Sequence, residues 1–305
     1  MLMVPSTWEF LSLACKLLTY LGAASLLGAL FCIWLFKNET RQVTHNILTY
    51  MTVGAFLGFQ GALFGFLVQI GMVVNNGPIG MFDRGIGSIY LDSPLGDTTF
   101  FQLSGFALTF ILGLTYANKV QRITSPPRLD YFRFFNTGCI LAFLLLVFSF
   151  RFSGHISILS VTSKLSIAAH YSAFAAWIGS LYPLYCLSFS ENLEYIQDRV
   201  KKFGDSAVAL VAVLIVAGGL MVIELFDSIA EAFSTNYGQI FLIKLSLVVL
   251  ILAIAAINRL RLTPRLVSKS GVVLFRQSLK VEILVALLIL SITTYFSTIV
   301  GPPEH

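Results

Sequence analysis

Eight long stretches of this chain carry almost no charge: roughly 8–36, 46–74, 99–118, 134–152, 164–189, 205–226, 239–258 and 278–299. A helix needs about 20 residues to cross a hydrocarbon layer roughly 30 Å thick, and each stretch is near or above that length. In lipid every backbone polar group needs a partner inside the segment, so such runs fold as helices. Membrane strands would show segments of about ten residues with alternating polarity, whereas these runs are continuous. Of 305 residues only 11% are charged and 57% are hydrophobic, against about 25% charged in a soluble domain. The expected fold is an all-α polytopic membrane protein with eight transmembrane helices, and a soluble enzyme is excluded.

Loop charge orients the spans. Loops 1, 3, 5 and 7 hold fifteen of the twenty Lys and Arg residues, from Lys37 and Arg41 through to Arg276 and Lys280. Loops 2, 4 and 6 hold three (Arg84, Arg151 and Lys164), and Lys16 and Lys244 lie within spans. Positive loops stay in the cytoplasm, which puts both termini outside. The same bias accounts for the net charge of +5, so no nucleic-acid partner is expected. Cys15, Cys32, Cys139 and Cys186 form no CxxC pair and leave the redox compartment open. The N-terminal stretch lacks a basic n-region and a cleavage site, so it reads as a retained span.

A faint repeat divides the chain. Ser93-Pro94-Leu95-Gly96, with Gln102-Leu103-Ser104 beyond it, echoes Thr235-Asn236-Tyr237-Gly238 with Lys244-Leu245-Ser246. The two motifs lie four spans apart in the same orientation. That spacing suggests a parallel 4+4 duplication, a transporter plan, with an N-terminal four-helix half over 1–150 and a C-terminal half over 151–305. Chance similarity between two alike helices is the alternative.

Ionisable residues inside spans cost several kcal/mol unless paired or facing a cavity. They are Lys16, His170, Glu224, Lys244 and Glu282. Lys16 and Glu282 lie within two turns of a span end, where snorkelling suffices. Glu224 and Lys244 fall near the outer ends of adjacent spans, as a structural ion pair or as a transport element. His170 is six residues into the fifth span, with Gly154-His155 in the preceding outer loop. Imidazole suits copper, zinc, iron and nickel; a hydrogen-bonded packing residue is the competing reading. Gly218-Gly219 offers small residues for a helix contact. No Walker A loop is present, so no nucleotide is expected. A bis-histidine haem site is lacking, as is any Ser/His/Asp or HExxH arrangement for an enzyme.

The stretch Gly154-His155, then His170-Tyr171-Ser172-Ala173-Phe174-Ala175-Ala176-Trp177-Ile178-Gly179-Ser180-Leu181-Tyr182-Pro183, resembles the GH … HLLAAALWLGGLLP signature of the copper resistance protein D family. Downstream, Thr235-Asn236-Tyr237-Gly238, Lys244, Asn258-Arg259, Pro264-Arg265 and Ser278-Leu279-Lys280-Val281-Glu282 resemble its TPYG … K … NR … PR … SLRLE pattern. Gln60-Gly61 is the main match in the first half. Tyr171, Ser172, Phe174 and Ser180 depart from the family pattern and leave the histidines in place. The resemblance implies a multi-pass protein of the bacterial inner membrane that imports copper from periplasm to cytoplasm and serves copper homeostasis and resistance. It implies His155 and His170 as copper ligands, with Trp177, Tyr237, Glu224, Lys244 and Gln60 as gating or supporting residues. It also implies a separate periplasmic carrier of the copper resistance protein C type as partner. A membrane receptor that docks a copper chaperone or an oxidase-assembly factor without transporting is the alternative.

Overall fold

The computed structural model describes residues 5–36, 40–123, 129–150, 160–225 and 233–300; the side chains of Leu129, Asp130, Glu224, Leu225 and Val300 fall outside that description. Ten α-helices run through the described residues, with no strand among them: α1 (Thr7–Leu35), α2 (Arg41–Val74), α3 (Arg84–Leu91), α4 (Pro94–Arg122), α5 (Arg133–Ser149), α6 (Val161–Gly179), α7 (Leu181–Leu187), α8 (Leu193–Leu225), α9 (Asn236–Ile257) and α10 (Lys269–Tyr295). Six are long and apolar enough to cross a membrane: α1, α2, α4, α8, α9 and α10. The other two expected spans fall on shorter pieces, the 17-residue α5 and the α6–α7 pair.

Local chemistry sets the helix starts. Ser6 and Glu9 form a reciprocal capping box on α1, satisfying two backbone donors that the first turn leaves orphaned. Ser93 Oγ accepts from Leu95 N at 3.2 Å to open α4, and Thr235 Oγ1 accepts from Gly238 N at 3.0 Å to open α9. Both echoing motifs therefore sit where a helix begins. The break between α6 and α7 follows from Pro183, which has no N–H to return to the Gly179 carbonyl. The backbone tightens there instead, with Ser180 N donating to Trp177 O at 3.1 Å.

α1 is the central strut, packed by α2, α6, α5, α7 and α10. It meets α6 where Gly28 faces Gly179. A Cβ on Gly179 would collide with the Ala24 carbonyl, and one on Gly28 with the Gly179 backbone. Close crossings of this kind rest on small residues in the membrane. α8 packs along α6, and α9 along α10. α8 turns Val208, Ile215, Val216 and Ile223 outward, the apolar surface that lipid would cover.

Two expectations change. The chain after α9 is not an open loop: it continues as a π-helical turn (Asn258–Leu262) and a 3₁₀ turn (Thr263–Val267) before α10 begins at Lys269. Glu282 thus lies thirteen residues into α10, about 20 Å along its axis at 1.5 Å per residue. It is 3% exposed, so it does not snorkel. Lys16 has fixed partners: its Nζ donates to Ser297 Oγ at 2.8 Å, to Ser297 O at 3.3 Å and to Thr298 Oγ1 at 3.4 Å. The change at Glu282 has a plain cause: α10 begins nine residues before its apolar window.

Candidate functional site

His170 stands nine residues into α6 and points across to α8. Its Nδ1 lies 3.2 Å from the Leu214 carbonyl oxygen. A carbonyl only accepts, so Nδ1 carries the hydrogen and Nε2 keeps the lone pair. Metal-binding imidazoles are held this way, one nitrogen fastened to a carbonyl and the other turned to the ion. The ring rests on Gly218 one turn further along α8, where an added Cβ would come 3.3 Å from both Cε1 and Nδ1. Gly218 makes room for the imidazole; Gly219 faces open space.

Lys244 of α9 is half-buried and within electrostatic reach of His170. The structure thus seats His170 of α6 against Leu214 and Gly218 of α8. Glu224, in the last turn of α8, and His155 lie outside the described side chains. Tyr237 is buried and tilts onto Phe296, with ring centroids 4.0 Å apart, which ties the start of α9 to the end of α10. Gln60 lies half-buried on α2, whose main neighbours are α1 and α4. Tyr171 turns away from His170 towards Tyr20, Phe143 and Phe150, so the bulk at that position fills a packing space. Among the described residues no three His, Cys, Asp or Glu side chains gather as a metal cluster.

Two turns along α6 from His170, Trp177 is 4% exposed and borders a cavity of about 240 Å³ between α6, α7, α8, α9 and α10. Asn258, Arg259, Thr263 and Glu282 supply its polar lining. Asn258 Nδ2 donates to Glu282 Oε2 at 2.7 Å, while Asn258 Oδ1 is buried with no hydrogen-bond partner. Thr263 Oγ1 donates to the Asn258 carbonyl at 2.8 Å. Arg259 reaches the surface, donating to Gly204 O at 3.0 Å and pairing with Asp205 at 2.9 Å. The family pattern that Asn258 and Glu282 match carries no sign of their pairing. Glu282 lies deeper than its apolar window suggests, because α10 starts at Lys269.

Comparison with known proteins fits this picture. The chain is 24% identical over 217 residues to the copper transport protein CutJ of Bacillus subtilis (strain 168), an alignment covering 68% of this chain. That alignment spans 39% of the Bacillus protein, so the present chain covers well under half its relative's length. No solved structure matches it. The family model for copper resistance protein D matches residues 198–296, a region holding α8, the Tyr237 and Lys244 positions, Asn258 and Glu282. Through that region the chain is similar to the copper resistance protein D family.

Proposed function

We propose that the chain carries copper across the bacterial inner membrane, from periplasm to cytoplasm, as part of copper homeostasis. The observation that carries this reading is His170, a membrane-embedded imidazole fastened at Nδ1 to Leu214 O, in a chain of a copper-handling family. The bundle works as eight spans with both termini outside, α5 and the α6–α7 pair completing the six longer helices. Its halves meet at about residue 150 as a parallel duplication. Copper is the cargo, and the chain is a transporter and not an enzyme.

In this scheme His155 takes the ion at the outer face from a separate copper resistance protein C-like carrier. His170 then receives it on Nε2. Gly218 leaves the ring its place, and Glu224 partners Lys244 as a structural ion pair between α8 and α9. Trp177 separates the imidazole from the inner cavity, Tyr237 holds the outer end of α9 against α10, and Gln60 supports the first half.

Copper accumulation in cells producing the wild type and His170→Ala at equal membrane abundance tests the proposal. Loss of accumulation in the variant supports transport through His170. Wild-type accumulation would overturn it and leave the chaperone-docking receptor as the better account.

A further inference from the structure

The cavity below Trp177 holds a titratable group that the copper scheme does not use. Glu282 is 3% exposed and Asn258 7%. An uncompensated carboxylate at that depth in a membrane bundle is costly, and such a group is neutralised or paired in practice. The charges around it do not neutralise it. Arg259 of the π-helical turn, the other titratable lining residue, is engaged by Asp205 of α8 and Gly204 O. On α8, Arg199 is turned to Asp198 and Leu35 O, and Lys202 to Asp198. On α10 itself, Arg276 bonds Ser188 and Lys280 lies over the Tyr185 ring. Among the described residues, Glu282 has one hydrogen-bond partner, the neutral amide of Asn258.

We propose that the Glu282–Asn258 pair is a proton-binding site, loaded and emptied through the cavity mouth at Arg259. Hydronium delivers a proton to the Glu282 carboxylate and departs as water, leaving a carboxylic acid; release reverses the step. The orphaned Asn258 Oδ1 fits this exchange. With Glu282 ionised, the amide N–H donates to it, as in the present geometry; with Glu282 protonated, the amide turns and Oδ1 accepts the acid's O–H. One hydrogen bond serves each state. Asn258 opens a π-helical turn, a rare element that is frequent at functional sites. The cavity has room for roughly eight waters at about 30 Å³ each. A hard metal cation fits poorly, because Glu282, Asn258 and Thr263 supply fewer side-chain oxygens than the about six such ions take. A proton needs one acceptor.

This inference does not rest on copper transport, and its test uses no copper. Infrared difference spectra of the purified chain in lipid nanodiscs, taken between mildly acidic and alkaline pH, should show a buried carboxylic C=O band that forms and disappears reversibly. Glu282→Gln should lose that band. Asn258→Leu should keep it but move it in frequency, since the acid loses its amide partner. This second variant decides the matter if Glu282→Gln fails to fold. Absence of any titrating band, its persistence in Glu282→Gln, or an unmoved band in Asn258→Leu would each overturn the proposal.

Discussion

His170 and Leu214 hold α6 to α8 through one hydrogen bond, Nδ1 to carbonyl oxygen at 3.2 Å, and the ring fits there because Gly218 has no side chain. Enlarging that position should displace the imidazole. Gly218→Leu is expected to lower copper accumulation sharply and to cost about 1–3 kcal/mol of stability through overpacking. Gly219→Leu, on open space, should do neither. Copper uptake and thermal unfolding of the two variants side by side check the contrast; equal behaviour would remove Gly218 from the site.

The α1–α6 crossing should be less forgiving still. Gly179 meets the Ala24 backbone with no room for a Cβ, and backbone cannot step aside as a side-chain end can. Gly179→Val should abolish the folded protein, read as loss of a monodisperse peak after detergent extraction. A well-folded Gly179→Val variant would mean that α6 seats differently on α1.

Lys16 offers an asymmetric test. Its ammonium is held by Ser297 and Thr298, and Ser297 Oγ also donates to Thr294 O at 3.3 Å. Lys16→Met removes a charge and leaves Ser297 Oγ its bond to Thr294 O, so stability should change little. Ser297→Ala leaves a half-buried ammonium short of an acceptor, which costs about 1–3 kcal/mol. Thermal unfolding of both variants decides it, and a larger loss in Lys16→Met would contradict this assignment.

Much of this architecture was legible in the sequence because hydropathy reports lipid directly. Six of the eight apolar windows fall on helices long enough to cross a membrane, and the other two on the shorter α5 and the α6–α7 pair. His170 stood out as an ionisable residue inside a span. What hid were relationships that leave no compositional trace. The Leu214 carbonyl is backbone and has no signature, and Gly218 was visible as a small residue without its partner. Glu282 was misread because the first turns of α10, Lys269 to Arg276, are polar on one side and read as loop. An apolar window marks where lipid is, not where a helix begins. The start of α10, and with it the depth of Glu282, had to come from the structure.

The charge bias between loops predicts the topology. A single cysteine at Lys269, the first residue of α10, should resist an impermeant maleimide in intact cells and react after permeabilisation. The four natural cysteines are buried and free, so background labelling should be low. Reaction from outside would invert the bundle and place His170 near the cytoplasm.

Copper binding through His170, as proposed, should weaken as pH falls, by competition at one ring nitrogen. The Leu214 carbonyl fixes the hydrogen on Nδ1, so proton and copper contend for the single lone pair on Nε2. A protonated imidazole cannot ligate, and each imidazole that must lose a proton adds up to about tenfold in affinity per pH unit on the acid side. Affinity is therefore present at neutral and higher pH and is lost on acidification. Copper titrations of the purified chain at a series of pH values should show this slope, and His170→Ala should both weaken binding and flatten the slope. His155→Ala should weaken binding less, because water or a carrier protein can stand in for an outer ligand. A wild-type affinity that does not change with pH would exclude imidazole ligation and, with it, His170 as the copper residue.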